Sequence, residues 1–488
     1  MEHAWNKRRF FNERPMLWGI LGTLLGALLA VRLGAALLWG LGLLAVGLGV
    51  FLLWRGKIVY ALPLLLGLLL LRGAVLPGVR VVPGEYEVCG TLIDDPEREK
   101  GETRAVLGRV TLDGRRVPGA LALRIPYDAA LAYGDALALR AQVAPEEGGA
   151  AVGLSTVLYG AEARGSIRVS EGRADPLYGW ALFCRQRLEA AADALFSDQA
   201  GPAKGMLFGD KDDIHYLTFR AYQRSGLLHL LTVSGLHVGV VCGAALQLIR
   251  GRRKWLRFGL SLAVVGLFCL LTGLSPSSLR AAIMLLIVRF SHLLDRQDDP
   301  ISQIGFALWA LLMVNPYLLT SMGFCLSFGS VWSLACLTKP LLALLGGRRE
   351  SLRGLLAGSL SVCLGIAPLL SRADGAVSLM GVPLSLLALP AAPLFLIPGW
   401  IAVLLYLVFP GGARVVALLP QGVLYYLDAL SRLAPVSGLT VPAAGGVALG
   451  LWFTGMLFVS EYFLPNGRRP AYLGWGLLMA GALVWFLA

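Results

Sequence analysis

The chain has 488 residues, of which 57% are hydrophobic and 15% charged, and its formal net charge is +13. A soluble protein of this size would carry more charge, so the composition excludes an ordinary soluble enzyme and indicates a polytopic membrane protein. The positive residues form short tracts beside apolar runs, near residues 7–9, 250–257, 348–349 and 468–469, which is the pattern of cytoplasmic loops rather than of a nucleic-acid-binding surface.

Three apolar segments come first, at residues 16–31, 33–54 and 58–71. No small-residue cleavage site followed by a soluble body comes after the first of them. We therefore interpret residues 1–75 as retained N-terminal transmembrane segments rather than as a signal peptide. The basic residues 7–9 favour a cytoplasmic N-terminus, and three spans then place the next segment outside the cell.

A hydrophilic block follows at residues 79–172. Its stretches EYEVCGTLI, RAVLGRVTL, GALALRIP and GDALALRAQV are rich in strand-forming residues and are separated by turns, which predicts an extracellular β-barrel or sandwich such as an OB-like barrel. Residues 79–173 contain eleven Arg and one Lys against fourteen Asp and Glu. Because this balance is slightly acidic, a DNA contact here needs a local arginine patch, for which we consider Arg104, Arg109 and Arg124.

The segment ALFCRQRLEAAADALF lies between this block and the next apolar region. Its apolar residues recur at helical spacing with charged residues between them, which predicts an amphipathic helix within residues 175–200. Such a helix can lie at the membrane interface among the lipids, or it can pack against the next domain. The sequence leaves both alternatives open.

From about residue 227 onward the chain is again apolar. With the first three segments it predicts a polytopic α-helical membrane protein of about 13 spans, some of them broken or re-entrant because they fall short of the ~20 residues that a straight span needs. Counting spans from an outside block places the turns at Arg250, Arg348, Arg414 and Arg468 in the cytoplasm, in agreement with the positive-inside rule. The ten candidate spans in this region are residues 236–249, 255–274, 279–294, 301–314, 318–337, 352–370, 391–409, 415–434, 440–463 and 471–488.

Polar side chains collect between Asp210 and Arg280. If His229 and His237 lay on one helix, they would be about 12 Å apart along it, too far to share a metal ion. Packing, with each imidazole donating to a carbonyl, and a direct role are both open. Arg280 opens a span, where an inward-facing guanidinium is able to meet a phosphate.

Several enzyme signatures are missing from the sequence. It has no G-x-x-x-x-G-K-[ST] loop, no HExxH motif and no dense His/Asp cluster, so we predict no cofactor, no metal site and no catalytic residue. Ser234 beside His237 suggests an intramembrane hydrolase, but Thr232 breaks the G-x-S-x-G pattern. Residues three apart on one helix also rarely have the geometry of a nucleophile and its base.

Four strings in order, GMLFGDKDDI, FRAYQRSGLLHLLTVSGLHVG, LTGLSPSSLRAAIM and NPYLLTSMGFCLSFGSVW, closely resemble the competence domain of the ComEC family of bacterial DNA-uptake proteins. We take His229, His237 and Arg280 to lie near a pore, with Gly235 shaping it and Arg280 also contacting DNA. The remaining candidate channel residues are Asp210, Ser234, Ser278 and Ser327. The other motif positions carried over by the resemblance are Gly209, Leu236, Ala281, Asn315, Pro316, Gly323, Leu326 and Phe328.

The resemblance implies a multi-pass channel in the bacterial inner membrane that takes up one strand of transforming DNA. Residues 201–488 would form the competence-type channel domain, with the OB-like domain outside the cytoplasm. It also implies an extracellular DNA receptor and a cytoplasmic ATP-driven DNA translocase as partners. The chain ends at Ala488 without the metallo-β-lactamase-like domain of many family members, so we expect a short form that relies on a separate nuclease.

Two other functions stay open. An OB-like barrel is also able to hold sugars, and the insert is acidic, so a transporter for an envelope glycan or lipid is the first alternative. The second alternative is an intramembrane hydrolase that uses Ser234 and His237.

Overall fold

The computed structural model describes most of the chain from residue 81 onward and a smaller part of residues 1–80. Of the three predicted N-terminal spans, residues 16–31 lie within a described helix, whereas most of residues 33–54 and 58–71 lie outside the described residues. The described residues are 15–32, 37, 40–46, 48, 68, 81–94, 96–99, 102–117, 119–127, 131–152, 155–170, 175–247, 254–294, 299–345, 350–374, 376–377, 380–433, 439–460 and 469–487.

A small barrel confirms the predicted β-rich insert. Strand β1 pairs with both β3 and β6, so that five strands close in the order β1-β3-β5-β7-β6, with β5 and β7 parallel and the other neighbours antiparallel. Five strands closed in this way are the architecture of an OB-type barrel. The strands of the sheet are β1 (Gly84–Leu92), β2 (Glu97–Glu99), β3 (Glu102–Leu112), β4 (Arg115–Arg116), β5 (Ala120–Ile125), β6 (Ala136–Val152) and β7 (Ser155–Ser170).

Local sequence explains most of the barrel. In β5 the buried residues Leu121, Leu123 and Ile125 alternate along the strand and point into the barrel core. The turn between β3 and β4 consists of Asp113 and Gly114, both with positive φ, as a two-residue hairpin of the Asp-Gly type requires. The four predicted strands do not include β7, because its glycines and exposed charged residues weaken the apolar alternation.

The rest of the described chain is helical. A helix lies at each of the ten positions predicted after residue 227, and Gly381–Ala388 adds a short helix that the sequence did not predict. The helices are α1 (Pro15–Arg32), α2 (Pro176–Phe196), α3 (Ala200–Phe208), α4 (Tyr216–Arg224), α5 (Gly235–Gln247), α6 (Lys254–Leu271), α7 (Pro276–Leu293), α8 (Pro300–Val314), α9 (Met322–Leu344), α10 (Glu350–Asp374), α11 (Gly381–Ala388), α12 (Ala391–Tyr406), α13 (Pro410–Arg432), α14 (Gly446–Val459) and α15 (Arg469–Leu487). Strands β8 (Ala376–Val377) and β9 (Leu439–Thr440) form a second, two-stranded sheet.

Several elements begin with the same two-residue signal, a capping side chain followed by proline. Asp175 caps α2 by accepting a hydrogen bond from the amide of Leu177 at 2.9 Å, and Asp299 caps α8. Ser275 caps α7 in the same way. The side-chain oxygen satisfies a free amide of the first turn, and the fixed φ of proline suits the first helical position.

Four helical segments of the described chain are long and apolar enough to cross a membrane: Leu228–Gln247, Lys254–Leu271, Met322–Leu344 and Arg353–Ala373. Helices α11 and α12 add a fifth segment if they count as one span, because they are bent by 45° at a short break. Three further apolar helices are shorter, so the predicted total of about 13 spans stays a prediction.

Helix α2 joins the barrel to the helical part. At its start, the amide of Asp175 donates to the Tyr133 hydroxyl at 3.2 Å, and the rings of Tyr133 and Tyr178 meet edge to face at 4.9 Å. Further along, α2 buries Leu188 and Leu195 in the same core as helices α3, α12 and α13. Because the same helix contacts both parts, it fixes the barrel relative to the helices.

Neighbouring helices approach closely where glycine removes a side chain. Helices α9 and α10 pack together, and a Cβ built on Gly365 would lie 1.9 Å from the Ser333 hydroxyl oxygen. By contrast, Gly354 on the same helix has nothing within 4 Å of its Cβ position. Only the first glycine is therefore required by packing.

We predict that Gly365→Ala destabilises the protein by about 1–3 kcal/mol, because the added methyl overpacks the contact between α9 and α10. The control Gly354→Ala adds the same methyl to an open position of the same helix. It should leave stability unchanged or raise it by about 0.5–1 kcal/mol. Thermal unfolding of both purified variants in detergent measures the difference, and equal melting temperatures would contradict the packing argument.

Candidate functional site

The SGLHVG string begins at a break in the helical structure. Residues 228–230 form a 3-10 turn, residues 231–234 are not helical, and α5 starts at Gly235. His229 is exposed on this turn, and its Nδ1 donates to the carbonyl of Gly226 at 3.0 Å. The two histidines therefore do not lie on one continuous helix, although His229 does donate to a carbonyl as the packing alternative predicts.

His237 and Ser234 bind each other at the start of α5. His237 is fully buried, and its Nδ1 accepts from the Ser234 amide at 3.2 Å and lies 2.9 Å from the Ser234 hydroxyl oxygen. Since Nδ1 accepts from an amide, the proton of the neutral ring is on Nε2. Nδ1 therefore caps the start of its own helix, as in a capping box, and donation to a carbonyl by this histidine stays a prediction.

The same contact bears on the hydrolase alternative. The hydroxyl and the imidazole are within the distance that a nucleophile and its general base require, contrary to the expectation from helix spacing. The reason is that Ser234 precedes the helix instead of belonging to it. Among the described residues, however, no side chain orients His237, and its Nε2 has no hydrogen-bond partner.

Arg280 lies in the second turn of α7 and is only 6% exposed. Its Nε donates to the Ser327 hydroxyl on α9 at 2.7 Å, and its guanidinium carbon lies 5.8 Å from the centre of the Phe328 ring. The Ser327 hydroxyl also lies 3.1 Å from that of Ser277. These contacts fix the guanidinium between two helices.

None of the described carboxylates forms an ion pair with Arg280. A cation buried without an anion is costly, and an arginine fork is suited to phosphate and carboxylate groups. The described contacts of Arg280 are therefore all with uncharged groups.

The site of Arg280 adjoins the SGLHVG string. A Cβ on Gly235 would lie 3.7 Å from the Cβ of Ala281, which is an ordinary packing distance. Helices α5 and α7 therefore meet beside Arg280, and packing at this point does not require glycine. Ser278 is fully buried at the start of α7, where its amide donates to the capping hydroxyl of Ser275 and its hydroxyl donates to the Ser275 carbonyl at 2.9 Å.

Asp210 lies in a tight turn that follows α3. Gly209 adopts a positive φ of 84° and ends the helix, and the Asp210 carboxylate accepts from the amide of Asp212 at 3.0 Å. A Cβ on Gly209 would lie 3.2 Å from the Val233 side chain. This turn therefore packs against the break at residues 231–234.

Lys204 is a residue that the sequence analysis missed. It is 5% exposed and pairs with Asp193 at 2.9 Å and with Asp213. Burial lowers the pKa of Lys204, but its hydrogen bonds to the two carboxylates raise it by more, so that the pKa lies above the usual value. The three residues lie on different elements, so no helical or strand spacing connects them.

The described residues contain no group of three or more His, Cys, Asp or Glu side chains that could hold a metal ion. His229 and His237 each use Nδ1 in a hydrogen bond, and no carboxylate or thiolate completes a ligand set with them.

The three candidate arginines of the barrel lie at two separate positions on its surface. Arg104 and Arg124 are direct neighbours across β3 and β5, and Arg124 also lies 3.8 Å from Glu102. Arg109, with a positive φ of 53°, lines a cleft of about 340 Å³ together with Arg116, which the sequence analysis did not select.

Taken together, these features define a helix-rich protein with several candidate membrane spans, a small barrel of OB type and a buried guanidinium between two helices. The family model described as Competence protein matches residues 206–464, which include all of the helical site residues described above except Asp193 and Lys204. The chain belongs to this competence protein family, the ComEC family, which confirms the resemblance.

Two relatives share part of this region. ComE operon protein 3 of Bacillus subtilis is 32% identical over 212 residues, which is 43% of this chain and 27% of that protein. Recombination protein 2 of Haemophilus influenzae is 29% identical over 140 residues, which is 26% of this chain and 18% of that protein. The matches therefore span about a quarter or less of the relatives' length. No solved structure matches the chain.

If an anion binds at Arg280, sulfate should stabilise the folded protein by RT ln(1 + c/Kd), where c is the sulfate concentration. We predict that sulfate raises the melting temperature of the wild type in detergent and does not raise that of Arg280→Met. Arg414→Met removes an exposed arginine on α13 and serves as the control, which should keep the shift. Equal shifts in all three proteins would contradict an anion site at Arg280.

Proposed function

We propose that this protein is an inner-membrane channel for the uptake of single-stranded transforming DNA during natural competence. The single observation that carries the proposal is the buried guanidinium of Arg280, which faces hydroxyls and an aromatic ring and no described carboxylate. Ionisable residues inside a membrane generally mark a path for a substrate. A phosphodiester supplies the missing negative charge and matches the planar fork of arginine.

In this proposal residues 201–488 form the channel domain and span the membrane, within a total of about 13 spans. Exposed His229 lies at the outer mouth, and the break at 231–234 allows the chain to line a path there. His237 supports this mouth by capping α5. Residues 79–172 lie outside the cytoplasm, and residues 175–200 lie at the lipid interface, where Leu177, Trp180 and Phe183 are exposed.

The barrel would receive a strand before it reaches the membrane. Arg104 and Arg124 present two neighbouring cations on one surface, and Arg109 presents another beside the cleft. An extracellular receptor would deliver the DNA, and a cytoplasmic ATP-driven translocase would pull it, since the sequence contains no nucleotide-binding loop. A separate nuclease would degrade the other strand.

We predict that Arg280→Ala abolishes most uptake of labelled DNA into the cytoplasm while the protein keeps its membrane level and melting temperature. The loss follows from removing the charge that meets the phosphates. Arg414→Ala is the matched control and should support normal uptake. Normal uptake by Arg280→Ala would refute the placement of Arg280 in the pore, whereas undiminished uptake after deletion of the gene would refute the channel itself.

For the barrel, we predict that Arg104→Ala combined with Arg124→Ala weakens binding of single-stranded DNA to the full chain. The slope of log K against log salt should become shallower by about 1.4, since each lost phosphate contact removes about 0.7 for a single strand. Unchanged DNA binding with retained affinity for an oligosaccharide would favour the glycan transporter instead.

A hydrolase is the second candidate, favoured by the 2.9 Å distance between the Ser234 hydroxyl and His237 Nδ1. It predicts covalent labelling of Ser234 by an activated phosphonate, and labelling should vanish in His237→Ala. The channel proposal predicts no labelling of Ser234 in membranes that take up DNA.

A further inference from the structure

Lys204 is a buried cation that the proposed path does not use. It belongs to α3, and its ammonium group reaches Asp193 on α2 at 2.9 Å and Asp213 in the loop after α3. The lysine is 6% exposed at its side chain, whereas the two carboxylates are 53% and 62% exposed. The ammonium group thus anchors two solvated carboxylates to a buried point on α3.

The glycines of α3 bring the same loop against the helix. A Cβ on Gly201 would lie 2.4 Å from the Asp213 carbonyl oxygen, so the loop backbone rests directly on the helix at this point. A Cβ on Gly205 would lie 3.2 Å from the Leu231 carbonyl oxygen and 3.3 Å from that of Asp210. One face of α3 therefore supports both the loop at 209–214 and the break at 231–234.

The loop then contacts the break itself through Gly209 and Val233. Ser234, which binds His237, is the next residue along the chain after Val233. A displacement of the loop would consequently move the segment that orients both Ser234 and His229. A continuous series of contacts therefore connects Lys204 with the break at residues 231–234.

We propose that Lys204 is a positioning residue: by pairing with Asp193 and Asp213 it holds the 209–214 loop on α3 and thereby fixes the break that carries the candidate channel mouth. The effect on transport rests on the proposed function, whereas the effect on the loop does not. Lys204 does not contact the transported strand in this arrangement.

The variant Lys204→Met tests the position of the 209–214 loop without changing the stability of the whole fold. The methionine fills the same buried space, and the two exposed carboxylates remain solvated, so the melting temperature should not change. The loop contains Lys211, which the protease Lys-C cuts when the loop opens. We expect Lys-C to cleave the folded full chain after Lys211 about fivefold faster in Lys204→Met, because the lost pairs include partly exposed charges and cleavage follows the population of the open loop.

Lys204→Met should lose most of the DNA uptake that the wild type shows. Lys204→Arg keeps the charge and should restore both slow cleavage and uptake. Asp213→Asn changes only an exposed carboxylate, so it should not destabilise the fold. It should also make cleavage after Lys211 faster, as Lys204→Met does. Lys254→Met, at the start of α6, is the matched control and should behave as the wild type in both measurements.

Two results would overturn the proposal. Unchanged cleavage after Lys211 in both Lys204→Met and Asp213→Asn would show that the lysine does not hold the loop. Faster cleavage with undiminished uptake would show that the loop does not position the mouth. Because cleavage is measured on purified protein, undiminished DNA uptake after deletion of the gene would refute the proposed channel and leave the cleavage result intact.

Discussion

The backbone of an apolar helical bundle must satisfy its own amides and carbonyls, and every interruption of a helix leaves several of them free. This chain interrupts its helices before α5, before α7 and between α8 and α9. At each interruption a side chain from a motif string accepts the free amide: His237 accepts from Ser234, Ser275 from Ser278, and Asn315 from Tyr317. The motif residues thus make the breaks possible in surroundings that supply little water.

Two buried cations differ in how their charge is balanced. Lys204 has two carboxylates within reach, so its charge is neutralised by the fold. Arg280 has a hydroxyl, a thioether and an aromatic ring as neighbours. Both are largely removed from water, and only the first is balanced by an acidic side chain among the described residues. The contrast supports the proposed positioning role of Lys204 and the proposed contact of Arg280 with a phosphate.

The sequence predicted the helices and the barrel because apolar runs and strand alternation are local signals. It did not predict β7, whose alternation is weak, or the pairing of Lys204, whose partners lie on other elements. For His237 and Ser234 the spacing argument assumed a single helix. The serine instead precedes the helix, where its side chain and the imidazole can turn toward each other. Composition was sufficient to select the barrel arginines Arg104, Arg109 and Arg124 as candidates. The register between β3 and β5, which places Arg104 beside Arg124 and leaves Arg109 elsewhere, depends on the tertiary fold.

The closure of the barrel restricts how it recognises anything. Each of the five strands that close the barrel has a neighbour on both sides over at least part of its length, so an extended ligand cannot join these strands through backbone hydrogen bonds along that part. Recognition there must come from side chains on the outer faces and from the connecting turns. A ligand held in this way is able to slide, because no ladder of regularly spaced amides fixes its register.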